Sequence, residues 1–171
     1  MEACDPVCRA RGIPDYLHQN GRDSNQVFDV KEVLFIRFRV EERKLKSVIS
    51  FCRQSANRSM YCEGGADDAL FDGQNGGRHE GFGVYEISAA AVNLIKKELN
   101  VGGNLRTFTL RLFHNPDQCN YAHTEIVACE GGNEVDDIGP KSVKKMIREE
   151  FHEAIRPVLP PNLAGIKFEA D

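Results

Sequence analysis

The run Val-Leu-Phe-Ile-Arg-Phe-Arg-Val at residues 33–40 most restricts how this chain can fold. It is rich in β-branched and aromatic residues, and toward its end apolar side chains alternate with arginines. That period of two marks a strand whose faces meet different surroundings. Leu34, Ile36, Phe38 and Val40 fall on one face, and Val33, Phe35, Arg37 and Arg39 on the other. A charged turn at residues 41–46 leads to a second strand-like run at 47–52, so a hairpin is expected. Residues 105–113 alternate more cleanly, with Phe108, Leu110 and Leu112 opposed to Thr107, Thr109 and Arg111. Residues 81–87 and 123–129 read as further strands.

Helical spacing is expected in two places. Ser88 is a good N-cap for a helix over residues 89–99, because its hydroxyl can accept an orphaned backbone N–H. Val92, Ile95 and Leu99 then form an apolar stripe, and the glycines at 102 and 103 suit a helix end. Pro140 opens a second helix reaching about Arg156, with Val143, Met146, Ile147, Phe151, Ala154 and Ile155 as its buried face. Pro157, Pro160 and Pro161 stop it, and residues 165–170 read as a short edge strand. Shorter helical turns are expected near residues 15–18 and 66–71.

The order strand, strand, loop, strand, helix, strand, strand, helix implies an α+β fold. An antiparallel or mixed sheet of about five strands would carry two main helices packed on one face. Residues 1–27 read as an irregular N-terminal arm and residues 28–171 as a single α+β domain. The Gly- and Asp-rich stretch 53–80 reads as a long irregular loop, a kind of segment that is often functional.

Composition narrows the function classes. A chain of 171 residues suits one domain. Its net charge of -4 lacks the basic footprint of a typical nucleic-acid binder. The longest apolar runs fall far short of a bilayer span. No basic-then-apolar leader pattern opens the chain, so a cytoplasmic location is the default expectation. In that compartment the six cysteines are expected as reduced thiols rather than three disulfides.

The densest chemistry lies at residues 114–125, His-Asn-Pro-Asp-Gln-Cys-Asn-Tyr-Ala-His-Thr-Glu. His114, Cys119 and His123, with Glu125 or Cys129, are donors of the type zinc prefers. Their His-x4-Cys-x3-His spacing is not that of a zinc motif, and no Cys-x2-Cys pair accompanies it, so no metal is expected. A nucleophilic reading makes Cys119 the attacking group and His114 or His123 its base, oriented by Asp117 or Glu125. The plainest reading is a structured turn, since Asn115-Pro116-Asp117 is natural turn chemistry. Strand alternation adds that His123 and Glu125 share a face. If it coincides with the faces of Arg37 and Arg39 and of Arg111, the sheet presents a polar surface suited to anions.

Elsewhere, Cys4-x3-Cys8 reads as incidental thiols rather than half of a metal site. Arg78-His79-Glu80 follows glycines but precedes a strand, the reverse of a phosphate loop.

Small size and the lack of any cofactor motif favour an interaction or binding module. It would act on a protein or anionic partner through the polar sheet face, the 53–80 loop or both, with Arg37, Arg39 and Arg111 as binding residues. The alternative is a small hydrolase or nuclease built on His123, Glu125, Cys119 and His114. There His123 acts as general base and an arginine holds an anionic substrate. That alternative requires His123 and Glu125 to line a concave pocket near an arginine. A nucleic-acid-binding accessory protein is a third class, resting on the arginines alone. No cofactor and no membrane association are expected.

Overall fold

A computed structural model describes residues 5–39 and 53–161. Its centre is a single antiparallel sheet of eight strands. These are β1 (Val33–Arg39), β2 (Arg53–Arg58), β3 (Phe82–Ser88), β4 (Lys96–Val101), β5 (Asn104–His114), β6 (His123–Glu130), β7 (Asn133–Glu134) and β8 (Arg156–Leu159). The spatial order is β4-β5-β6-β2-β1-β3-β8, with β7 paired to β6. The helices are few and short: α1 (Pro6–Ala10), α2 (Ala89–Leu94) and α3 (Lys141–Ala154). The expected α+β fold, with about five strands and two main helices, is therefore corrected to one dominated by an eight-stranded sheet.

Two segments account for most of the difference. Ser88 does cap a helix, its Oγ accepting from the Ala91 N–H at 3.1 Å, but α2 stops after six residues. The chain then turns into β4, because Gly102 and Gly103 both take positive φ, 59° and 85°. That pair closes a two-residue hairpin whose twist suits antiparallel strands, and β4 runs back along β5 from Val101↔Asn104 to Lys96↔Thr109. The glycines serve a hairpin rather than a helix end. The stripe of Val92 and Ile95 is still buried, so the apolar spacing was compatible with either shape.

The second segment is β2, which lies inside the stretch expected to be loop. Arg-Gln-Ser-Ala-Asn-Arg has neither β-branched nor aromatic residues. It becomes a strand because β1 and β6 pair with it on both sides, as in Phe35↔Asn57 and Asn57↔His123. Here neighbours override local propensity. The strand expected over residues 47–52 and the edge strand expected over 165–170 lie outside the described residues. The edge position beside β3 is taken by β8, where Pro157, lacking an N–H, is tolerated.

One sheet face carries the main core. Leu34, Ile36, Ile87, Phe108 and Ile126 meet Val92 of α2 and Val143, Ile147 and Phe151 of α3. The last three repeat at i, i+4 and i+8, one helical stripe. Met146, expected on that stripe, is 37% exposed.

The opposite face is covered by irregular chain. Cys8, Ile13 and Leu17 of the N-terminal segment pack with Leu70, from a 3-10 turn at Gly65–Leu70, against Phe35 and Val84 of the sheet. A disulfide between Cys8 and Cys119 fastens this cover. The expectation of reduced thiols is thus corrected for that pair. Cys62 and Cys129 are free and buried.

Candidate functional site

Register settles which polar side chains share the irregularly covered face. Phe35↔Asn57 puts Phe35 and, two residues on, Arg37 on the same face as Asn57 and Ser55, and Ser55↔Glu125 and Asn57↔His123 extend that face to β6. Phe113↔Glu125 and Arg111↔Val127 carry the same face onto β5. Arg37, Arg39, Arg111, His123 and Glu125 therefore do lie on one face of the sheet. The cover divides them. A pocket of about 420 Å3 opens between the arm, the loop at residues 71–79 and the turn at 115–120; Arg11, Arg37, Ser55, Asp72, His79 and His123 line it.

The rim is built by local turn chemistry. The Asp72 carboxylate accepts from the backbone N–H groups of Gln74 and Asn75 at 3.0 and 2.9 Å, and from Asn75 Nδ2 at 3.0 Å. These bonds, led by that from the Asn75 backbone, hold its pKa down at about 2. Gly76 has φ of 83°, and a Cβ there would come within 3.0 Å of Arg11 Cβ. Only glycine lets this loop approach the arm so closely. Arg11 then donates to the Gly73 carbonyl at 2.6 Å.

On the other side the arm holds the turn. Besides the disulfide, Gln19 N–H donates to the Gln118 carbonyl at 2.9 Å and Tyr121 N–H to that of Leu17 at 2.8 Å.

Arg37 is half-buried on the pocket floor. Its Nη1 lies 3.5 Å from the Phe71 carbonyl, and no carboxylate of the described residues is within ion-pair distance. Burial pulls its pKa down, with Asp72 and Asp117 acting the other way; a guanidinium stays charged regardless. His79 also lines the pocket, its pKa lowered by burial and by Arg37, against the opposing pull of Asp72.

His123 is fixed by its neighbours. Nδ1 is 2.6 Å from the Asn115 carbonyl oxygen, and Nε2 is 3.4 Å from Ser55 Oγ. A carbonyl can only accept, so the neutral ring carries its proton on Nδ1 and turns the Nε2 lone pair toward Ser55. The Asp117 carboxylate stands 3.8 Å from Nδ1 and is mostly exposed.

The remaining residues singled out from sequence lie elsewhere. His114 points to the opposite face from His123, as its pairing with Thr124 requires. It is 2% exposed, has no hydrogen-bond partner on either ring nitrogen, and sits against Tyr61 and Tyr121. Burial, reinforced by nearby Arg58, pushes its pKa down to about 4. Cys119 lines the pocket through its disulfide and offers no thiol, which removes it as nucleophile or thiolate ligand. The Glu125 carboxylate is engaged by Arg53 at 2.8 Å, an arginine that also holds Glu134 at 2.6 Å, and it lies outside the pocket lining. Arg111 donates to the Gly132 carbonyl at 3.1 Å, four residues farther along the sheet from His123's level. Arg39 is exposed and also outside the lining. Among the described residues no three His, Cys, Asp or Glu side chains converge as a metal site.

Ser55, His79, Asp72 and Arg11 were not foreseen as site residues. Ser55 has no local signal, since its strand exists only through its neighbours. In comparisons with known proteins, no family model, curated protein or solved structure matches this chain. Among the described residues no helix is long and apolar enough to cross a membrane.

Proposed function

We propose that the protein is a small-ligand binding module whose pocket takes up a small anion, a carboxylate or a phosphate, against Arg37. The observation that carries this reading is the state of that guanidinium. It is half-buried in a concavity, yet among the described residues its one hydrogen bond is a long one to the Phe71 carbonyl. A desolvated cation without a counter-ion is costly unless an anion completes it. A planar fork of N–H donors matches carboxylate and phosphate oxygens. The pocket volume, about 420 Å3, suits a small molecule. The polar lining suits a hydrophilic one. Arg39 and Arg111, outside this pocket, lend no similar support to a nucleic-acid partner.

Titration calorimetry with succinate and with inorganic phosphate tests the reading. At least one should bind the wild-type protein. Arg37→Gln should weaken that binding by about 1.5–3 kcal/mol, the worth of a hydrogen bond to a charged group, or roughly ten- to hundredfold. Equal affinity in the folded Arg37→Gln variant would refute the assignment of Arg37 as the anchor.

A further inference from the structure

We propose that this pocket is also a hydrolytic site, with Ser55 as nucleophile and His123 as its general base, acting on an ester that carries a free anionic group. The choice of an anionic ester rests on the proposed role of Arg37; the choice of nucleophile rests on separate geometry.

Three features support Ser55. Its Oγ is the pocket group that faces His123 Nε2, at 3.4 Å. The Asn115 carbonyl, 2.6 Å from Nδ1, selects the tautomer in which Nε2 can accept a proton. That carbonyl, with Asp117 3.8 Å from the same nitrogen, occupies the orienting place that a carboxylate takes in serine hydrolases. Finally, Ser55 and His123 sit on the adjacent central strands β2 and β6. Their separation is thus set by a sheet rather than by a mobile loop.

The chemistry balances with water as the only co-reactant. Ser55 Oγ attacks the ester carbonyl carbon while its proton passes to His123 Nε2, and the C=O electron pair moves onto oxygen. Arg11, which also lines the pocket, favours that negative charge. The tetrahedral species collapses, the bond to the leaving alkoxide breaks, and the alkoxide takes the proton from His123. An acyl-Ser55 ester remains. Water then attacks it with His123 again as base, releasing the acid and restoring the serine.

The test combines labelling and turnover on the full chain. A fluorophosphonate should add one phosphonyl group at Ser55, located by peptide mass mapping, and succinate should slow the addition. 4-Nitrophenyl hemisuccinate should be hydrolysed faster than 4-nitrophenyl acetate. His123→Gln should slow both labelling and hydrolysis by about a hundredfold or more, as loss of a general base does. Ser55→Ala should abolish both, and wild-type peptide mapping stands even if that variant folds poorly. Succinate binding without Ser55 labelling or turnover would overturn the hydrolytic proposal while leaving the anion pocket intact. Labelling at another residue would also overturn it. Labelling at Ser55 with no succinate protection would support the serine–histidine pair and overturn the anion role of Arg37.

Discussion

Two arginines on opposite faces of the sheet show how differently those faces are finished. Arg58 ends β2 with its side chain fully buried. It makes paired bonds to Glu32 at 2.7 and 2.8 Å, donates to the Asn25 and Val27 carbonyls at 2.6 Å each, and stacks over Phe28. Arg37, on the neighbouring strand, has no carboxylate partner among the described residues and lines a pocket. The first pins the chain segment at residues 25–32 to the sheet, so its donors are used up within the fold. The second is held among the described residues by one long bond alone, that to the Phe71 carbonyl. The difference follows from what covers each side: helices with apolar stripes on one, an irregular arm and two loops on the other.

The largest contrast comes from removing the carboxylate that pairs with Arg58 and, separately, the Arg37 cation itself. Glu32→Ala should leave Arg58 buried and uncompensated, costing about 3–5 kcal/mol of unfolding free energy by urea denaturation. Arg37→Gln, in contrast, should stay within about 1 kcal/mol of wild type, because Arg37 makes no ion pair with the described residues. Similar losses in the two variants would mean that Arg37 is structural.

The cover of the pocket face can be loosened next. Replacing Cys8 and Cys119 together by Ser removes a link across 111 residues of chain. Stability should fall by about 2–4 kcal/mol, and succinate affinity should fall with it, since Arg11 and residues 117–120 line the pocket. A destabilised variant with unchanged affinity would separate the cover from the site.

Acid probes the opposite face through His114. Its folded-state pKa of about 4 lies below the ordinary 6.5, because burial comes first and the positive charge of Arg58 second, with the nearby His123 backbone opposing them. The unfolded chain therefore binds the proton more readily. The stability this provides is complete above pH 6.5 and is lost as pH falls toward 4. It amounts to on the order of 3 kcal/mol, at about 1.4 kcal/mol per pH unit. His79 and His152, also lowered by burial, act in the same direction. His114→Phe, filling the same place between Tyr61 and Tyr121, should flatten the decline in urea midpoint between pH 7 and 4.5. An unchanged slope would assign the acid sensitivity elsewhere.

The smallest effect concerns the hairpin. Gly103→Ala places a Cβ at φ of 85° in open surroundings. A loss of about 1 kcal/mol, measured by thermal unfolding, is expected from backbone strain alone.

Where the chain alternates strongly, its structure was legible. The faces read from β1 and β5 match the registers, as in Arg37↔Val84 and Leu110↔Ala128. The shared face of His123 and Glu125 was legible for the same reason. Their fates were not, because Arg53, which captures Glu125, belongs to a strand without local signal. Ser55 was hidden by the same cause. His114 and His123 looked like one cluster in sequence, yet the pleat sends them to opposite faces.

By itself, the sequence determined the elements whose side-chain period is self-evident: the alternating strands, the Ser88 cap and the apolar stripe of α3. Period and capping depend on residues a few positions apart, and they act before any distant contact forms. Only tertiary structure decided that Arg53–Arg58 would be a strand, that Gly102 and Gly103 would close a hairpin, and that Cys8 would meet Cys119. Each depends on partners distant in the chain or on a choice between two shapes equally compatible with the local pattern. The pocket belongs to this second group. Its floor comes from three neighbouring strands and its walls from segments more than a hundred residues apart, so no single stretch of sequence contains it.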